Sequence, residues 1–84
     1  MRGFGQILKI DGQTLVIKDR DGVEKILVVT DKTTLKQFHA SVTLPDFKVN
    51  DYIVVIGEPN QAGQIEAQFI RLLPKMPGFS SGKF

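Results

Sequence analysis

The sequence predicts an all-β domain, a five-stranded OB-like small barrel over residues 3–73, followed by a flexible Pro/Gly/Ser-rich C-terminal tail over 74–84. Three observations predict it. The turn signals Asp11-Gly12 and Asp19-Arg20-Asp21-Gly22 separate short β-branched runs, which is the pattern of a meander. The stretch Val49-Asn50-Asp51-Tyr52-Ile53-Val54-Val55-Ile56-Gly57 passes from a polar turn into an apolar run and stops at glycine, as a strand buried on both faces would. A last run, from Gln64 to Leu73, opens with period-two alternation, Ile65 and Ala67 inward, Glu66 and Gln68 outward.

The elements follow in order. Phe4–Ile10 is the first strand. Ile7 and Ile10 are three apart, so a β-bulge near Leu8-Lys9 is needed for both to point inward, and Gly5 permits a sharp bend. Thr14–Lys18 and Glu24–Thr30 are the second and third strands. Thr33–Phe38 is a short extended piece. Leu44–Val49, with Pro45 unable to donate to a ladder, is a helical turn or tight loop whose Leu44, Phe47 and Val49 plug one end of the barrel. Glu58–Gly63 is the last hairpin connection. Phe69-Ile70 breaks the alternation of the closing strand, which implies a second bulge. Closure removes the open edges that make small sheets aggregate. An SH3-like barrel is the structural alternative.

These segments, G-Q-I-L-K-I-D-G-Q-T-L-V-I-K-D-R-D-G, V-V-T-D-K-T-T, F-K-V-N-D-Y-I-V-V-I-G and G-Q-I-E-A-Q-F-I-R-L-L, resemble a bacterial family of uncharacterised small OB-like β-barrel domains of unknown function. The resemblance spans roughly Gly5 to Leu73. Asn50 stands where that family has glycine, a replacement that left-handed backbone geometry tolerates. The loop from Lys36 to Thr43 and the tail depart from the pattern. Members often carry a preceding signal or anchor segment, so the resemblance implies an envelope or extracellular setting. It implies no activity and no functional residue.

Composition bounds the function. The chain of 84 residues suits one small domain, and it has no cysteine, so neither a disulfide nor a His/Cys metal site is available. No apolar stretch approaches the ~20 residues of a membrane span, and the N-terminal residues carry no signal-peptide h-region. The net charge is +2, but from Gly3 to Leu73 eight basic residues face nine acidic ones. The excess sits at Arg2, Lys75 and Lys83, and no linear basic stripe marks a phosphate-tracking surface.

Catalytic patterns are missing. His39 is the single histidine and reads as a solvated loop residue. Ser41, Ser80 and Ser81 lack a nucleophile-elbow context. Asp19 and Asp21 read as turn chemistry, because the spacing and terminal glutamate of a calcium loop are absent. The sequence predicts no enzyme, no cofactor and no metal.

The outer face is more informative. If Leu15, Ile17, Leu27 and Val29 point inward, then Leu8, Val16, Ile26, Val28, Val54 and Ile56 point outward, and an exterior this apolar marks a protein contact. Met76, Phe79 and Phe84 of the tail, or a neighbouring subunit, would cover it. The competing account is an in/out assignment displaced by an unrecognised bulge. The expectation is a non-catalytic interaction or structural module that self-associates or binds protein. The alternative is a single-stranded nucleic-acid binder using Lys18, Arg20, Lys36, Phe38 and Arg71. Against it, the outer side of the second and third strands offers no ring for bases to stack on. Phe69 is expected in the core, and Phe38 and Tyr52 in loop or rim packing.

Overall fold

The computed structural model describes residues 2–74. The tail residues Lys75 to Phe84, including Met76, Phe79 and Phe84, lie outside the described residues. The strands are β1 (Arg2–Asp11), β2 (Thr14–Asp19), β3 (Glu24–Val28), β4 (Thr34–Gln37), β5 (Ala40–Ser41), β6 (Tyr52–Pro59) and β7 (Ile65–Leu72), with a 3-10 turn at Leu44–Asp46 before β6.

The β2–β3 connection follows from side-chain chemistry. The Asp19 carboxylate accepts the backbone N–H groups of Asp21 and Val23, both at 2.9 Å. Gly22 takes φ +81°, which glycine adopts without steric cost. β1 pairs antiparallel with β2 on one side and β6 on the other, and β6 pairs antiparallel with β7. β7 then meets β3 in parallel, Leu27 opposite Ile65 and Val28 opposite Glu66. That contact closes five strands in the order β3-β2-β1-β6-β7, the OB-like barrel expected. Beyond it, β4 takes over as the parallel neighbour of β7, Thr34 to Lys36 opposite Phe69 to Arg71, and β5 folds back on β4. The Thr33 hydroxyl donates to the Ala67 carbonyl at 2.7 Å and bridges the step between β3 and β4.

Both bulges are present. On β1, Ile7 stands opposite Ile17 and Lys9 opposite Val16, so Leu8 is the extra residue. The slip turns Ile7 fully inward and leaves Ile10 packed against the core. On β7, Phe69 stands opposite Ile56 and Ala67 opposite Gly57, so Gln68 is extra.

Ile7, Leu15, Ile17, Leu27, Ile53, Val55 and Ile70 are fully buried and form the centre of the core. Phe47, after the 3-10 turn, stoppers one end, and Leu44 packs beside it. Val49 does not join them and is 49% exposed. Its place in a turn explains this. The Asp51 N–H donates to the Lys48 carbonyl, which leaves Val49 and Asn50 at the tip. Asn50 has φ +78°, the geometry a type II turn demands at its third position. The reading of β6 as buried on both faces is also corrected. Ile53, Val55 and Gly57 are buried, but Tyr52 and Ile56 are exposed and Val54 is half-buried. The barrel has one interior, so only one face of β6 is fully buried.

Candidate contact faces

The outer surface divides at β1. Its second half, with β2 and β3, makes an aliphatic face. Val16 stands opposite Ile26 on β3, and Thr14 opposite Val28. Ile26 is 39% exposed, while Leu8, Val16 and Val28 are half-buried. Val16 and Ile26 are direct cross-strand neighbours, ~4.5–5.5 Å apart at Cβ, with Val28 two residues along β3 on the same face, and the bulge residue Leu8 beside Lys9, which stands opposite Val16. Lys18 stands opposite Glu24 at the margin of this face, a pair of opposite charges. Four of the six residues expected to face outward are therefore neighbours.

The other two, Val54 and Ile56, belong to a different surface. The first half of β1, with β6, β7 and β4, is aligned in rows. Phe4, Val54, Arg71 and Lys36 face one another across four strands. The next row holds Arg2, Ile56, Phe69 and Thr34. On the other side, Gln6 stands opposite Tyr52. The rings of Phe4 and Tyr52 stack with centroids 5.5 Å apart, and the Arg20 guanidinium lies 5.9 Å from the Phe4 centroid. Arg71 lies 5.6 Å from the centroid of Phe69. These distances fall within the reach of cation–π attraction. No carboxylate occupies these rows, and Glu58 and Glu66 face each other only beyond the β7 bulge.

The structure thus gathers what the linear sequence scattered. Arg20, Lys36 and Arg71 surround one face, and Lys18 adjoins it opposite Gln6. Phe38, 62% exposed, sits past Lys36 in the two-residue loop between β4 and β5. Sequence reasoning missed Phe4 and Arg2 altogether and assigned Tyr52 to rim packing. Phe69 is corrected from core to exterior. The extra residue at Gln68 sends Ile70 inward and Phe69 out to meet Arg71. The alternation Arg2-x-Phe4-x-Gln6 was the available signal, but it gains meaning only once β1 is set against β6.

At the edge of this face, Arg2, Phe4, Asp19, Arg20, Lys25 and Val54 border an open depression of about 450 Å³. Asp19 is held below the usual carboxylate range, first by the Val23 N–H and then by Lys25, whose ammonium lies 3.1 Å away. Its charge is therefore largely committed to the turn. Asp46 is likewise lowered by the backbone N–H and the hydroxyl of Thr43.

His39 is exposed in the β4–β5 turn, and Ser41 is exposed on β5, its hydroxyl 3.1 Å from the Lys36 ammonium. Among the described residues no group of His, Cys, Asp or Glu is placed to hold a metal ion, and no helix is long and apolar enough to cross a membrane. The chain matches no model of a known protein family and none of the curated proteins.

Proposed function

We propose that this chain is a non-catalytic contact module that associates with a second copy of itself through the aliphatic face of β1, β2 and β3. What supports the reading is the cross-strand pair Val16 and Ile26, set on the outside of a barrel whose interior is already filled. An apolar patch of this kind costs free energy in water and is relieved by a partner. A copy of itself fits the charge pattern. The patch is bordered by Lys9 opposite Val16 and by Lys18 opposite Glu24, so across a two-fold axis Glu24 of each copy can meet a lysine of the other. Four aliphatic side chains cover less than the ~800 Å² per partner of a stable interface, so the association is weak and concentration-dependent. The envelope or extracellular setting belongs to the same proposal and rests on the family resemblance alone.

Sedimentation across a concentration series tests the reading. The expected result is a reversible dimer whose Ile26→Lys variant is monomeric with an unchanged circular dichroism spectrum. If the chain stays monomeric at several hundred micromolar, self-association is wrong. If a chain ending at Leu73 dimerises while the full chain does not, the tail is the cover instead.

A further inference from the structure

From the aromatic and cationic residues of the second face, we infer that the outer side of β1, β6, β7 and β4 binds single-stranded DNA. The inference is independent of self-association, which uses other residues. Its first support is charge. The described body is nearly balanced, yet Arg2, Arg20, Lys36 and Arg71 flank one face whose rows carry no carboxylate. A polyanion bound to such a surface gains by releasing its condensed counterions into solution. The second support is stacking area. Phe4, Tyr52 and Phe69 lie between those cations, and Tyr52 is 43% exposed. Bases unstacked from a duplex offer faces to rings of this kind, whereas a duplex does not.

Phe38 supplies a third, separate support. It holds φ +56° while 62% exposed, at the first position of a two-residue hairpin loop. That is the place where a type II′ turn carries glycine. A bulky residue there costs conformational energy and contributes no core packing in return. Backbone strain of this sort persists where a side chain must be presented. Phe38 lies two residues beyond Lys36, which belongs to the face.

DNA rather than RNA is assigned from what lies in the middle of the face. Val54 and Ile56 are aliphatic and suit the methyl group of thymine. The uncharged polar groups, Gln6, Thr34 and the Tyr52 hydroxyl, stand at its borders rather than among these aliphatic residues. The side differs from the β2–β3 surface that OB barrels commonly use.

Fluorescence anisotropy with labelled oligo-dT tests this, with duplex DNA, oligo-rU and inorganic polyphosphate as competitors. Oligo-dT is expected to bind at low salt and to weaken about a hundredfold for a tenfold rise in salt, as about three neutralised phosphates require. Arg71→Gln should reduce the log–log salt slope by about 0.7. Tyr52→Ala should weaken oligo-dT about tenfold, the effect of one lost stacking partner, without changing polyphosphate binding. Phe38→Gly should raise the melting temperature yet weaken oligo-dT. Absence of binding at 20 mM salt would overturn the inference. So would competition by polyphosphate or duplex as strong as by oligo-dT, or tighter binding of oligo-rU.

Discussion

Gly57 stands opposite Ala67 beside the β7 bulge, and a Cβ on Gly57 would lie 2.5 Å from the Glu66 carbonyl oxygen. The same atom would come within 2.9 Å of Ile65 Cγ2. The strand end is packed backbone against backbone there, so little can yield. At Gly5 a Cβ would meet Ile17 Cδ1 at 2.7 Å and Ile17 Cβ at 3.2 Å, so it is one side chain and not the backbone that must shift. Gly57→Ala is therefore expected to cost ~2–3 kcal/mol and Gly5→Ala ~1 kcal/mol, within the range for overpacking. Urea denaturation of the two variants measures both, and an equal or smaller loss at Gly57 refutes the backbone explanation.

These two glycines also mark how far the sequence could be read. Features set by neighbouring residues were legible. The Asp-Gly turns, the inward set on β2 and β3, and both bulges follow from local spacing, because a period-two pattern that slips by one must be repaired by an extra residue. What pairs with what across long separations was not. The register of β1 against β6 joins residues some fifty positions apart, and it alone lines up Phe4 with Val54 and Tyr52 with Gln6. The β4–β5 hairpin escaped for another reason. Turn rules look for glycine or asparagine at positive φ, and this turn uses Phe38. The aliphatic face was visible in outline, but its separation from Val54 and Ile56 depends on closure of the barrel.

Asn50 gives a second test of backbone conformation. Its N–H donates to the Ile7 carbonyl at 2.7 Å, so the turn ties β1 to the start of β6. With φ at +78°, a β-branched residue is disfavoured. Asn50→Gly should leave stability unchanged or slightly higher, while Asn50→Val should lose ~1–2 kcal/mol. Thermal melts of the pair decide the matter. A Val variant as stable as wild type would mean that the turn relaxes freely.

The barrel's stopper supplies a prediction about magnitude. Phe47 is 2% exposed and Val49, two residues later, is 49% exposed. Truncating a buried phenylalanine costs ~3–5 kcal/mol. A domain of this size has only ~5–15 kcal/mol in all. Phe47→Ala should therefore be extensively destabilised, and Phe47→Leu should recover much of the loss. Val49→Ala should shift stability by no more than ~0.5 kcal/mol, as surface changes do. Equal losses at 47 and 49 would show that the end of the barrel is closed by something other than Phe47.

Acid should loosen the fold at two identifiable turns. Asp19 and Asp46 both ionise below 3.8 in the folded chain, because backbone N–H groups of Val23 and Thr43 bond to their charged forms. The unfolded chain releases those hydrogen bonds, so it takes up protons first as the pH falls. Protonation thus favours unfolding, and stability rises with pH across this window. The contribution is fully present above about 3.8 and is lost as the pH drops through the lower folded values. Melting temperature should accordingly change little on this account between pH 7 and 5, then fall below pH ~4. Asp19→Asn keeps an oxygen acceptor for the Asp21 and Val23 N–H groups but loses the charge that faces Lys25. It should melt lower than wild type at pH 7, and the gap should narrow by pH 2. A gap that stays constant with pH would show that the Asp19 charge contributes nothing to the β2–β3 turn.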